Sequence, residues 1–327
     1  MKKIISLLLT AALLVCSLAL FASCSDDNGE IKVGVIQFMS HASLDNCYEG
    51  IERALDASGL NVKIDRQIGS SNSAVSDCDT FARNMVAADY DIIIAIATPA
   101  AASAFAATNG TDIPVIFCAV SDPVIAKLVD SLEVPGDLCT GTADVLDLEK
   151  QIEVIQEIQP DAKDIGILYT SSEANSISNL ARFKDICDAK GLNVIAEAVQ
   201  NASDIPAAAE KLASKVDCIN NFTDNNVVEN LEIVLTAAEK YNIPVYGSEV
   251  EQVEKGCIAS ASIDYIAVGF ASGEMAVEVL GGADASTMAV KEIKDASIVL
   301  NKDVMDALGL TYGKENATYV NAESDKN

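Results

Sequence analysis

Asp91-Ile92-Ile93-Ile94-Ala95-Ile96-Ala97-Thr98-Pro99-Ala100-Ala101 passes from an unbroken apolar run into a threonine–proline step followed by small residues. Apolar residues in succession, rather than in alternation, mark a strand buried on both faces, as in a parallel sheet covered by helices. The step predicts a helix over 99–108, with Thr98 as its N-cap and Pro99 in its first turn. Ile113-Pro114-Val115 then opens the next strand, 114–118. The same order recurs downstream. A strand starting at Val216 runs through Phe222 into Thr223-Asp224, a helix follows, and Ile243-Pro244-Val245 opens another strand. Two equivalent strand ends, one after Ala97 and one after Phe222, are therefore expected to face each other across a cleft.

Outward from these two points the alternation is regular. Strands are predicted over 31–37, 62–68, 165–169, 193–198 and 244–247, with the strand at Val216 ending at 220. Helices are predicted over 44–58, 74–87, 146–158, 176–190, 205–214 and 227–241. With right-handed crossovers this is an α/β fold of two doubly wound parallel-sheet lobes joined by a hinge. A strand over 257–262, a long helix over 264–280 opened by Asp264, and a last strand over 297–300 follow. That late helix can pack back on the first lobe. The expected division is 31–143 plus 263–290 for the N-terminal lobe, and 144–262 plus 291–327 for the C-terminal lobe.

Residues 1–23 stand apart. Met1-Lys2-Lys3 precedes an uncharged, mostly apolar run from Ile4 to Ser23, which reads as a secretory signal. A membrane anchor is the rival, because the run approaches the ~20 residues that span a bilayer. The run ends in Phe21-Ala22-Ser23-Cys24 and gives way to Ser25-Asp26-Asp27-Asn28-Gly29-Glu30. This resembles a bacterial lipobox, with small residues before a cysteine and then a polar tether over 24–30. Lipidation of Cys24 follows as the expectation, with the chain exported and held by that lipid at the outer face of the cytoplasmic membrane.

Composition excludes several jobs. The 327 residues carry 22 basic and 49 acidic side chains, a net charge of −27, so binding to a phosphate backbone is disfavoured and no nucleic-acid partner is expected. A single histidine argues against a histidine metal centre, and no P-loop or dinucleotide fingerprint is present, so neither metal nor cofactor is expected. Besides Cys16 and Cys24 seven cysteines remain, none in C-x-x-C spacing. They lie in apolar stretches such as Ile116-Phe117-Cys118 and read as buried thiols, although a single disulfide stays open. No nucleophile–histidine pair is available beyond His41, so no catalytic residue is assigned.

The strand-end motifs, taken in order, carry a resemblance. They are Gln37-Phe38-Met39-Ser40-His41 with Leu44-Asp45, Ala97-Thr98-Pro99-Ala100-Ala101, Ala119-Val120-Ser121-Asp122-Pro123 and Thr140-Gly141-Thr142. In the second half come Gly166-Ile167-Leu168-Tyr169, Ser172-Glu173-Ala174-Asn175-Ser176, Thr223-Asp224-Asn225 and Tyr246-Gly247-Ser248-Glu249. Together they resemble the ABC-transporter substrate-binding lipoproteins of the tryptophan/aromatic amino-acid type, which have the type I periplasmic-binding-protein fold. The sequence departs from that family at Ala42, commonly proline, and at Glu249, often aspartate. The resemblance implies a non-enzymatic solute-binding protein of an importer, handing a small ligand such as tryptophan or phenylalanine to a permease and its ATPase. A binder of another small solute, or a sensory lipoprotein, is the alternative.

In open parallel sheets ligands sit outside the carboxyl ends of the strands, where these motifs lie. The candidate ligand-binding residues are Gln37, Phe38, Thr98, Ala100, Ala101, Ser121, Asp122, Glu173, Asn175, Thr223, Asp224, Asn225 and Glu249. The helix opened by Thr98 suits a carboxylate. Asp224 is the first choice for an ammonium and Glu249 the second, with helix capping the competing role for both. Phe38, Phe117, Tyr169, Phe222 and Tyr246 could wall an aromatic ring or simply fill the core.

Overall fold

The computed structural model describes residues 29–320; the expected signal, Cys24 and most of the tether lie outside the described residues. From the start the chain runs β1 (Ile31–Gln37), α1 (Ala42–Ser58), β2 (Val62–Ile68), α2 (Ala74–Ala87), β3 (Ile92–Ile96), α3 (Thr98–Thr108), β4 (Val115–Cys118) and β5 (Cys139–Asp144). It continues with α4 (Leu148–Ile158), β6 (Asp164–Thr170), α5 (Ala174–Ala189), β7 (Asn193–Val199), α6 (Ile205–Ala213), β8 (Cys218–Asn220), α7 (Asn225–Glu229) and α8 (Leu231–Lys240). The last part holds β9 (Val245–Gly247), α9 (Val250–Lys255), β10 (Ala259–Ser262), α10 (Tyr265–Leu280), β11 (Lys291–Ile293), β12 (Ser297–Asn301), α11 (Lys302–Leu308) and β13 (Ala317–Val320).

Two sheets result, in the orders β11-β5-β4-β3-β1-β2 and β13-β12-β10-β9-β8-β6-β7. The first is parallel throughout. The second is parallel except where β12 lies antiparallel to β10. Period-2 alternation explains how the second sheet is covered twice. Ile165 and Ile167 face a core with α4, α5 and α11, whereas Leu168 and Ile219 face one with α6 and α8.

The chain crosses between the sheets after Asp144, after Ser262 and after Ile293. The last crossing corrects the expected boundary at 291, because Lys291–Ile293 pairs with β5 in the first sheet. Lys291-Glu292-Ile293 is a short, mostly exposed edge strand, and its charged residues suit an edge while hiding it from an apolar-run reading. The helix predicted over 227–241 is broken at Asn230 into α7 and α8.

After the second crossing α10 returns to lie along α1. Glycines permit the approach: a Cβ on Gly269 would collide with the Cys47 carbonyl, and one on Gly50 with the Ile266 carbonyl. Asp264 opens α10 as expected, its carboxylate accepting from the amides of Ile266 (2.9 Å) and Ala267 (3.1 Å). Cys47, Cys78, Cys118, Cys139, Cys187, Cys218 and Cys257 are all buried and unpaired.

Candidate functional site

The carboxyl ends of the two sheets meet at a buried chamber beside the crossings. From the first lobe it is lined by His41, Leu44, Ala97, Thr98, Ala119 and Ser121; from the second by Asn175, Thr223, Asn225 and Glu249. Asp144 and Tyr265 line it from the ends of the crossing segments. Ala97 (φ 80°) and Ala119 (φ 55°), which follow β3 and β4, hold left-handed backbone angles at its wall. Such angles are costly for alanine and cluster where surrounding structure holds a site in shape.

Five buried side-chain atoms on this lining have no hydrogen-bond partner: His41 Nδ1, Thr98 Oγ1, Asp144 Oδ1, Asn175 Oδ1 and Thr223 Oγ1. Buried polar atoms are normally paired, so their convergence singles out the chamber. Two hydroxyls offer donors, and two carbonyl or carboxylate oxygens offer acceptors. No lysine or arginine lines it, among the described residues.

Burial governs the titrations. It lowers His41 to about 4, so the ring is neutral, with Nε2 3.3 Å from Asn225 Oδ1 across the cleft. It raises Asp144 to about 6, against the Tyr265 hydroxyl, which donates to Asp144 Oδ2 at 3.0 Å. Burial, with Glu251 close by, raises Glu249 to about 8; Gln252 Nε2 donates to its Oε2 at 2.9 Å.

The expected residues divide sharply. Ser121, Thr98, Asn175, Thr223, Asn225 and Glu249 come together on the chamber. Thr98 does so differently from expectation: the N-cap of α3 is Ala97, no side chain caps the helix, and Thr98 is its first residue. Ala100 and Ala101 are buried in the first core instead. Gln37 is a brace, donating to Met39 O (2.8 Å) and Asp45 (3.0 Å) and accepting from Arg66. Asp122 accepts from the Ile125 amide (2.9 Å) and from Ser178 Oγ of the other lobe (2.9 Å).

Asp224 requires a correction. Its carboxylate accepts from Thr170 N (2.5 Å), Thr170 Oγ1 (2.8 Å), Ser176 Oγ (2.7 Å) and Val227 N (3.0 Å), so it caps α7 and leaves nothing for an ammonium. Glu173 is occupied in the same way. It accepts from the Asn225 amide (3.2 Å) and side chain (2.7 Å), the Asn226 amide (3.3 Å) and Asn175 Nδ2 (3.0 Å). Burial, with Asp224 adjacent, raises Glu173 to about 8.

Of the aromatic candidates, Phe117, Phe222 and Tyr246 are core residues, and Phe222 packs edge-on against Phe183. Tyr169 packs against the second core. Phe38, with Met39, Pro99 and Glu173, lines a separate outer pocket of about 390 Å³ between the lobes. Sequence reading missed Asp144 and Tyr265. The signal for Asp144 was an acid three residues after Gly141 in Thr140-Gly141-Thr142, a strand-end position like the others.

The lobes are drawn together over the chamber. Ser43 Oγ (3.2 Å) and Asn46 Nδ2 (2.5 Å) of α1 donate to Glu251 of α9, beside the Asp122–Ser178 and His41–Asn225 links. Only about 10 Å³ of the chamber admits the centre of a water molecule. A larger ligand therefore enters by separation of the lobes or their side chains.

Two α/β lobes that join three times and close polar strand ends over such a chamber define a two-lobed solute-binding protein of the type I periplasmic-binding-protein fold. The chain belongs to the ABC transporter substrate binding protein family, whose model matches residues 32–324. This is a non-enzymatic, extracytoplasmic family that binds small ligands and works with ABC transporters. A tyrosine-binding protein of Clostridioides difficile is 32% identical over all of this chain and 97% of its own length. A Streptococcus pneumonia ABC domain solved in complex with L-Trp is 36% identical, with a TM-score of 0.85 over 89% of this chain and 100% of that one. The ligand-free, open structure of a Clostridium difficile substrate binding protein with adhesive properties is 34% identical over 90% of this chain and 100% of that one. Its TM-score is 0.68.

Proposed function

We propose that the protein captures a free aromatic amino acid, tryptophan or tyrosine foremost, between its lobes and delivers it to the permease of an ABC importer. The observation that carries this is the convergence of unpartnered donors and acceptors on one buried chamber. A zwitterion needs both kinds. The ligand carboxylate meets the uncapped N-terminus of α3 with Thr98 and Thr223, where free amides and the helix dipole favour an anion. Its ammonium meets Asp144, with Asn175 and Glu249 alongside. Leu44, Ala97, Ala119 and Tyr265 supply apolar surface for the ring. The ligands named for the C. difficile and S. pneumonia relatives, tyrosine and L-Trp, agree with this reading.

The chain contains no tryptophan, so indole emission excited at its red edge comes only from added ligand. Bound L-tryptophan is expected to emit at shorter wavelength and with higher anisotropy than free tryptophan. Tyrosine displaces it, and N-acetyltryptophan, lacking the ammonium, does not bind. Failure of tryptophan, tyrosine and phenylalanine alike to bind at millimolar concentration would leave a binder of another solute.

Anchoring belongs to the same proposal. Removal of residues 1–23 and diacylglyceryl modification of Cys24 would hold the protein beside its permease. Cys24→Ala is expected to lose labelling by a fatty-acid analogue and to leave the membrane fraction; unchanged labelling refutes it.

A further inference from the structure

Asp144 and Glu249 are the carboxyl groups on the chamber wall, 2% and 1% exposed. Around Glu249 stand Gln252 and Glu251 of α9, Asp144 at the end of β5, Tyr265 of α10, Cys257 ahead of β10, and Cys47 and His41 from the first lobe. None is a lysine or arginine. His41 engages Asn225, and Lys255, at the C-terminal end of α9, acts on His41 from outside the lining. A ligand with one ammonium offsets one carboxylate. A second ionised carboxylate in the same closed, water-poor space would stay uncompensated, its lost hydration unrepaid. Like-charged acids sharing a site avoid this by keeping a proton on one of them.

The neighbours decide which one. Asp144, on the chamber lining, has the Tyr265 and Ser121 hydroxyls for neighbours, no like charge among the groups acting on it, and an Oδ1 without a hydrogen-bond partner, as suits an anion awaiting a cation. Glu249 has the Gln252 amide and the Ser43 hydroxyl as donors, but Glu251, a like charge two residues on, outweighs either of them. We propose that the lobes close on the amino acid with Asp144 ionised and Glu249 protonated, so that each ligand captured brings one proton from water into the chamber. This rests on the ligand reading above. The titrations agree in order, Glu249 being raised to about 8 and Asp144 to about 6.

The direction of the pH effect follows. In an open cleft Glu249 is solvated and titrates in the ordinary carboxylate range; closed, it titrates near 8. Between those values closure takes up a proton, so affinity weakens as pH rises, by up to about tenfold per pH unit, and levels off above about 8. Calorimetric titration of the protein with L-tryptophan and with L-tyrosine, in phosphate and in Tris, counts the protons directly from the difference in heat. The expected result is close to one proton taken up per ligand near neutral pH. Glu249→Gln, fixed in the neutral state, should take up almost none and show a flat pH profile, its fold checked by thermal melting. Binding by the wild-type chain without proton uptake overturns the inference alone, as does uptake that persists in E249Q. Absence of binding by either amino acid at every pH overturns the ligand reading together with this one.

Discussion

Helices α3 and α7 begin at corresponding places, each just past a buried strand whose end faces the cleft, yet their first turns are treated in opposite ways. At α7 two buried carboxylates occupy the amides: Asp224 takes the Val227 N–H, and Glu173 takes those of Asn225 and Asn226. At α3 the cap is Ala97, no acid stands in the first turn, and Thr98 Oγ1 is left unpartnered. A helix N-terminus attracts an anion in either case. The second lobe supplies that anion from its own chain. The first lobe leaves its terminus without a side-chain cap, the place that the proposed function gives to the ligand's carboxylate.

The contrast can be broken most directly at the acid it assigns to the ligand. Asp144→Asn is expected to weaken tryptophan binding by about 2–5 kcal/mol, the range for removing one partner of a buried charge pair. The ligand-free protein should melt no lower, since a buried carboxyl with an unpartnered oxygen is replaced by a neutral amide. Calorimetry and thermal melts on one preparation give both numbers; unchanged affinity refutes the role of Asp144.

Asp224→Ala should do the reverse. It strands the donors of Thr170, Ser176 and Val227 in the interior, at about 3 kcal/mol of stability or more. Urea unfolding reads that loss, while the folded fraction keeps most of its affinity. A large affinity loss with unchanged stability would return Asp224 to the ligand.

Thr98→Val keeps the shape and removes the unpartnered hydroxyl. Affinity should fall by about 1 kcal/mol, the value of one hydrogen bond, with no loss of stability. Equal binding by the valine variant would mean that the α3 terminus acts through its backbone amides alone.

The smallest effect is expected at Ala97, whose φ of 80° glycine adopts freely. Ala97→Gly should raise stability by less than about 1 kcal/mol, relief of strain being partly offset by the greater freedom of glycine when unfolded. A drop in melting temperature would show that no strain is held there.

Most of the strands and helices were legible in sequence because they depend on local pattern. An apolar run such as Ile92–Ile96 and the helical periodicity of 44–58 need no distant partner to be recognised. The edge strand Lys291–Ile293 was not, because an exposed strand shows no apolar run, nor was the buried strand Cys139–Asp144, whose residues are mostly small and polar. Of the residues singled out by type and strand-end position, Thr98, Ser121, Asn175, Thr223, Asn225 and Glu249 line the chamber. What position alone left open was the state of each polar group.

Sequence by itself determined the alternation of strand and helix, the two lobes, and the set of acids and amides at the strand ends. Tertiary structure alone decided which of those acids is free. Asp224 lost its lone pairs to Thr170 and Ser176, 54 and 48 residues away, whereas Asp144 met the Tyr265 hydroxyl, 121 residues on, with Ser121 beside it, and kept one oxygen without a hydrogen-bond partner. The physical reason is that a carboxylate is the same group wherever it stands in the chain. Its charge, its hydrogen bonds and its availability to a ligand are set by whatever folding brings within about 3 Å of its oxygens.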